Sequence, residues 1–155
     1  MSQQKRLVLI GNGMAGMRTI EELLAAAPDE YQITVFGSEP HGNYNRIMLS
    51  PVLAGEKTID DIIINRREWY AEQQITLHTS NPVTAIKRAQ RVVVSADGGE
   101  TPYDRLLIAT GSSPFILPVS GNHLPGVIGF RDIRDVEIML ETAHAGKRHA
   151  VVIGG

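Results

Sequence analysis

The 155-residue sequence reads as an α/β protein, a parallel sheet layered with helices and carrying a small antiparallel meander, and three observations support this. A short apolar run at residues 7–10 passes straight into Gly11-x-Gly13-x-x-Gly16 and then into a helical pattern. Three short extended segments between residues 83 and 103 are divided by turn signals, notably Asp97-Gly98-Gly99. Another apolar run, residues 105–109, follows and ends at Thr110-Gly111. Apolar spacing that switches between extended and helical repeats along one chain is the mark of layered α/β architecture.

Taken in order, residues 6–10 form a strand expected to be buried on both faces. Residues 14–27 form a helix: Met17, Ile20, Leu24 and Ala27 share one face, Arg18, Glu21 and Glu22 lie away from it, and Pro28 stops it. Residues 32–36 are the next strand, completing a βαβ unit. Residues 37–51 are polar and turn-rich, with Pro40, Gly42, Asn43 and Asn45, and a loop of that length in a compact domain is more often functional than idle. Residues 58–74 read as two short helical pieces with Asp60, Asp61 and Glu68 early in each, and residues 75–78 as a short strand. Residues 83–87, 91–96 and 100–103 make the meander, and residues 105–109 another buried strand. Residues 132–144 are helical, with a stripe of Ile133, Val136, Leu140 and Ala143, and residues 151–153 are a last strand. That last run, Val151-Val152-Ile153-Gly154-Gly155, repeats the opening of the chain and stops after two glycines.

Composition excludes several functions. An apolar content of 43% with 21% charged residues is that of a globular domain. A net charge of −2 gives no electrostatic basis for nucleic acid or an anionic membrane surface as partner. The absence of cysteine removes disulfides, thiolate metal sites and a redox-active thiol pair from this segment. Lys5 and Arg6 precede an apolar run, but Asn12, Arg18, Glu21 and Glu22 interrupt it, so it is not a secretory signal. No stretch approaches the ~20 apolar residues of a membrane span, and a cytoplasmic location is expected.

The glycine pattern has a mechanism. Gly11 permits the tight turn off the strand, Gly13 lets a pyrophosphate approach the backbone, and Gly16 lets helix and strand pack closely. The helix N-terminus, with the N–H groups of Met14, Ala15 and Gly16, then faces the phosphates. Glu39 follows the second strand, about twenty residues beyond Gly16, where a dinucleotide-binding unit places an acid on the ribose hydroxyls. A carboxylate there repels a 2′-phosphate, leaving FAD or NAD and disfavouring NADP; the alternative for Glu39 is a surface acid beside Pro40.

A third motif separates FAD from NAD. The meander followed by Tyr103-Asp104-Arg105-Leu106-Leu107-Ile108-Ala109-Thr110-Gly111 resembles the second FAD motif of the pyridine-nucleotide-dependent flavoprotein reductases. The resemblance implies a Rossmann-like, three-layer, glutathione-reductase-like FAD domain, incomplete at its C-terminus. It implies that Ala109, Thr110 and Gly111 pass near the FAD pyrophosphate and that the backbone of Val83 meets the adenine. Disulfide reductases of this family carry a cysteine pair in the loop where this chain has Asn45-Arg46-Ile47-Met48-Leu49-Ser50. The loop is similar instead to the Tyr-x-Lys-Pro-x-Leu-Ser of ferredoxin and rubredoxin reductases, with Arg46 in place of the lysine. Across residues 41–64 the chain looks closest to the large subunits of assimilatory NAD(P)H-dependent nitrite reductases, and the likeness covers only the N-terminal part of those enzymes.

The resemblance implies that Arg46 and Ser50 lie at the flavin, that Arg46 stabilises negative charge on the reduced ring, and that Arg131 in Phe130-Arg131-Asp132 matches a family arginine near the flavin. The alternatives are an Arg46 that holds loop carbonyls and an Arg131 salt-bridged to Asp132 or Asp135. The implied route is hydride transfer from NAD(P)H to FAD and single electrons onward to iron–sulfur and siroheme centres, which this segment does not bind. Residues 1–148 would be the N-terminal portion of an FAD-binding domain and residues 149–155 the severed first strand of an NAD(P)-binding domain, so the isolated chain is not expected to turn over. Its partners would be FAD and the rest of its own polypeptide, with a homodimer left open. No residue is assigned as catalytic. His41, His78, His123, His144 and His149 lack metal-ligand spacing, so no metal is expected. Asp60, Asp61 and Asp97 suit turns and caps, Met14, Met17 and Met48 suit packing, and Trp69 and Tyr70 suit anchoring of the short helices. A ferredoxin- or rubredoxin-type reductase, a plain NAD dehydrogenase and a non-catalytic FAD-binding module remain as alternatives.

Overall fold

The computed structural model describes residues 4–147 and 149–154. In chain order its elements are β1 (Lys5–Ile10), α1 (Met14–Ala26), β2 (Tyr31–Phe36), β3 (Asn43–Tyr44), a 3₁₀ turn (Arg46–Met48), α2 (Leu49–Leu53), α3 (Ile59–Ile62), β4 (Ile63–Asn65), α4 (Arg67–Glu72), β5 (Thr76–His78), β6 (Val83–Lys87), β7 (Val92–Ser95), β8 (Glu100–Pro102), β9 (Arg105–Ile108) and α5 (Ile133–His144). They divide into two compact units, Met1–Asn45 with Ile63–Gly111, and Arg46–Ile62 with Ser112–Gly155.

The first unit is built on a four-stranded parallel sheet in the order β5-β2-β1-β9. β1 lies inside this sheet, and its residues alternate between two cores. Leu7 and Leu9 join Met17, Ile20, Ile33, Val35, Tyr70 and Ile75 on one face. Val8 and Ile10 join Phe36, Val93 and Tyr103 on the other. Burial on both faces is why Leu7–Ile10 can be uniformly apolar, and each side chain so buried contributes about 1.5–3 kcal/mol. α1 turns Met17 and Ile20 into the first core, as their spacing predicts. The meander β6-β7-β8 is antiparallel, with Val93 of β7 reaching the second core.

The entry to β1 is stitched to the entry to β9. The Asp104 carboxylate accepts from the Arg6 backbone N–H at 2.8 Å and from its Nε and Nη2 at 3.0 Å each, while the Asp104 N–H donates to the Arg6 carbonyl at 2.8 Å. These hydrogen bonds hold the Asp104 carboxyl well below the usual carboxylate range.

Several expectations are corrected here. β9 is not buried: Ile108 is 58% exposed, because β9 ends the sheet and, among the described residues, no strand pairs with its outer edge. Residues 58–74 hold the two expected helical pieces, α3 and α4, but the link between them is a strand, β4, which pairs antiparallel with β3. Residues 37–51 are not one loop, for they contain β3, the 3₁₀ turn and the start of α2. Residues 151–153 form no strand; Val151, Val152 and Ile153 are 89%, 84% and 71% exposed, and no strand among the described residues pairs with them.

In the second unit α2 packs against α5 through a small core that includes Leu49, Val52, Ile133 and Val136. Of the predicted α5 stripe, Leu140 is half-buried and Ala143 exposed. Asp132 caps α5 in a reciprocal box: its side chain accepts from the Asp135 N–H at 3.0 Å and the Asp135 carboxylate accepts from the Asp132 N–H at 3.2 Å. Thr58 and Asp61 make a similar arrangement at α3.

Candidate functional site

In the first unit, the carboxyl ends of β1, β2, β5 and β9 are laced together. Gly11 N–H donates to the Phe36 carbonyl, Ala109 N–H to the Ile10 carbonyl and Gly37 N–H to the His78 carbonyl, all at 2.8 Å. The chain leaves β1 toward β2 on one side and returns as β9 on the other, so the end of β1 is a topological switch point, where open α/β sheets bind their ligands.

The three glycines differ in what they do there. Gly11 has φ +105°, and a Cβ on it would stand 2.3 Å from the Ala109 carbonyl oxygen. A Cβ on Gly16 would stand 3.0 Å from the Leu9 side chain and 3.1 Å from the Ala109 Cβ, so its absence sets how closely α1 approaches the sheet. Gly13 is unlike either. Its φ of −96° suits any residue, and a Cβ there would meet nothing within 4 Å. The protein itself gives no reason for glycine at this position, whereas a phosphate passing close to the backbone does. α1 begins here with no side-chain cap and no acid in its first turn. Its first intrahelical bond is Met17 N–H to the Gly13 carbonyl, so the N–H groups of Met14, Ala15 and Gly16 precede the helical ladder. With the helix dipole they suit a diphosphate, and the donor set fits FAD.

Glu39 lies half-buried beyond β2 and is held through both its backbone and its side chain. Its backbone carbonyl accepts from Ser80 N–H at 3.0 Å, and its Oε2 accepts from the Tyr44 hydroxyl at 2.7 Å. Val83, half-buried, heads β6; Ala109 follows β9 directly beside Gly11 and Gly16; Thr110 and Gly111 are exposed beyond it, Gly111 with φ +74°. The structure therefore brings Gly11, Gly13, Met14, Ala15, Gly16 and Ala109 together.

Behind this surface lies a polar network that sequence reasoning missed. The Tyr70 hydroxyl donates to Asn12 Oδ1 at 2.7 Å and accepts from the Asn43 N–H at 3.1 Å. Asn12 Nδ2 reaches the His41 carbonyl at 3.3 Å. Asn43 Nδ2 donates to Asn65 Oδ1 at 2.8 Å, and Asn65 Nδ2 to Glu21 at 3.0 Å. The Glu21 carboxylate can only accept, so it orients both amides, and Asn43 Oδ1 is left buried without a partner. Burial pushes the Tyr70 phenol above its ordinary range, keeping it a donor. No local pattern links positions 12, 43 and 70, so no sequence signal could have found this network. His78 stacks on Phe36, with ring centroids 4.6 Å apart.

In the second unit Arg46 and Arg131 are linked. Arg46 Nη1 donates to the Arg131 carbonyl at 2.8 Å, and Arg131 Nε donates to the Ser112 carbonyl at 3.2 Å. The alternative considered for Arg131, a salt bridge to Asp132 or Asp135, is not found among the described residues. Asp135 instead accepts the Arg131 backbone N–H, at 2.6 Å, because it is engaged as the α5 cap. Ser50 is exposed in the first turn of α2. Among the described residues no group of His, Asp and Glu could hold a metal, and no helix is long and apolar enough to cross a membrane.

A family model described as pyridine nucleotide-disulphide oxidoreductase matches residues 5–155. A nitrite reductase [NAD(P)H] of Bacillus subtilis is 50% identical over 152 residues, 98% of this chain and 19% of that protein. An assimilatory nitrate reductase electron transfer subunit of the same organism is 46% identical over 99% of this chain and 20% of its own length. Among solved structures, NADH:rubredoxin oxidoreductase from Clostridium acetobutylicum superposes with a TM-score of 0.80 at 29% identity, over 94% of this chain and 37% of that one. The chain thus spans about a fifth of the length of these two curated relatives.

Proposed function

The chain belongs to the pyridine nucleotide-disulphide oxidoreductase family, and on that premise we propose that it is the FAD-binding segment of an NAD(P)H-dependent flavin oxidoreductase of the nitrite reductase kind. Bound FAD would supply the step between two-electron hydride chemistry and one-electron transfer. Gly11, Gly13 and the opening N–H groups of α1 hold the diphosphate, Glu39 the adenosine ribose, Val83 the adenine, and Ala109 to Gly111 the far side of the phosphate loop. Arg46, Ser50 and Arg131 are proposed as flavin-ring residues, the two guanidinium groups offsetting negative charge there. Residues 149–155 are proposed as the start of an NAD(P)-binding domain. Electrons would pass to iron–sulfur and siroheme centres elsewhere in the polypeptide.

The observation that carries the reading is Gly13, a glycine the protein's own packing does not require. The test is titration of the 155-residue chain with FAD, followed by flavin fluorescence and absorbance. Stoichiometric binding is expected, and Gly13→Val should weaken it by roughly 100-fold or more, the equivalent of about one or two charge-assisted hydrogen bonds. A folded Gly13→Val protein with unchanged affinity would overturn the assignment. The likeness to a rubredoxin oxidoreductase, together with the Tyr-x-Arg-x-x-Leu-Ser loop, supports a second reading in which the acceptor is a small iron–sulfur protein. Reduction of rubredoxin or nitrite by the complete polypeptide separates the two.

A further inference from the structure

β3 is two residues long, yet each of them is tied to a different part of the dinucleotide site. Asn43 gives its backbone N–H to the Tyr70 hydroxyl, which in turn donates to Asn12 inside the glycine loop. Tyr44, buried at 4% exposure, gives its own hydroxyl to the Glu39 carboxylate. The segment between Glu39 and Asn43 is pinned as well: Arg67 Nη2 donates to the Pro40 carbonyl at 3.0 Å and Asn12 to that of His41. Gly42 is held so close to β4 that a Cβ would stand 2.2 Å from the Asn65 carbonyl oxygen. Asn43 is thereby coupled to the glycine loop, and its neighbour Tyr44 to Glu39.

We propose that Asn43–Tyr44 is a clasp that sets the spacing between the phosphate loop and the ribose carboxylate through the hydroxyls of Tyr70 and Tyr44. Those two tyrosines are then positioning residues that select an ADP moiety with a free 2′-hydroxyl. The inference rests on the FAD reading above. Glu39 on a free rotamer would spend much of its time turned from the ribose; with Oε2 held by Tyr44, the carboxylate keeps lone pairs in one place, since a carboxylate accepts about four hydrogen bonds. Pre-organisation of this kind adds affinity without adding a contact to the ligand.

The test uses the 155-residue chain, FAD, and the FAD analogue with 2′-deoxyadenosine. Tyr44→Phe keeps the ring and removes the hydroxyl. The wild type is expected to prefer FAD over the analogue by about tenfold, the worth of one hydrogen bond to a charged group. Tyr44→Phe should reduce that ratio to about twofold by weakening FAD binding while leaving the analogue's dissociation constant in place. Tyr70→Phe should weaken both ligands, because it loosens the phosphate loop. A Tyr44→Phe protein that keeps the wild-type ratio overturns the clasp while leaving FAD binding intact. Equal weakening of both ligands by Tyr44→Phe also overturns it, since that is what a merely structural tyrosine would do. Failure of the wild type to bind FAD overturns the functional reading and the clasp with it.

Discussion

Gly11 and Gly13 stand two positions apart and are glycines for different reasons. Gly11 is required by the fold, through a positive φ and a carbonyl oxygen in the space of its missing Cβ. Gly13 is required by neither. Gly11→Ala should therefore destabilise the folded chain by about 2 kcal/mol or more, through backbone strain and a clash. Gly13→Val should cost no more than about 1 kcal/mol while losing flavin. Thermal unfolding of the two apo variants checks the contrast. Glu39 shows the limit of reading a residue from its position alone. The sequence placed an acid just beyond β2, and its pairing with Tyr44 across four intervening residues came from the path of the chain into β3.

Short elements in this chain are held by side chains at their ends. α5 is capped by Asp132 and Asp135, and the same Asp135 fixes the Arg131 backbone whose carbonyl receives Arg46. Asp132→Ala should cost about 1 kcal/mol of stability, seen as a lower midpoint in urea. β1 and β9 are joined at their entries by Arg6 and Asp104. The Asp104 carboxyl is held below its ordinary range, so its contribution is present in full above the unfolded value of about 3.9 and is lost as pH falls below it. Asp104→Asn is expected to lower the melting temperature at pH 7, with the gap to wild type narrowing progressively as pH falls below about 4. A gap that stayed constant over that range would exclude the carboxylate as its source. At this level the meander, β1 and α1 were legible from periodicity, whereas β4 was not. Three residues between two helical patterns carry too little period to declare a strand, and β4 exists because Asn43 and Tyr44 lie alongside it.

Among the described residues there is one complete strand–glycine–helix unit, and hydride transfer between two dinucleotides needs two sites. The expected behaviour of the 155-residue chain is flavin binding without turnover: anaerobic mixing with NADH or NADPH should leave the flavin absorbance unbleached over minutes. Rapid bleaching would place a nicotinamide site within these residues. The outer edge of β9, with Ile108 exposed, and the exposed Val151, Val152 and Ile153 show why apolar runs mislead at this level. Both read as buried strands, because an apolar run encodes what a strand would bury. Whether it is buried depends on what packs against it.

The sequence alone determined the α/β layering, the glycine turn between β1 and α1, the meander and the family. Each of these is written in local periods or in motifs whose residues are neighbours along the chain. Tertiary structure decided that Gly13 is spare to the fold, that Asp135 takes a backbone N–H rather than the Arg131 guanidinium, and that Tyr44 and Tyr70 reach Glu39 and Asn12. Those contacts join residues up to 58 positions apart. Side-chain hydrogen bonds over such separations depend on strand register and helix placement, which no local pattern specifies.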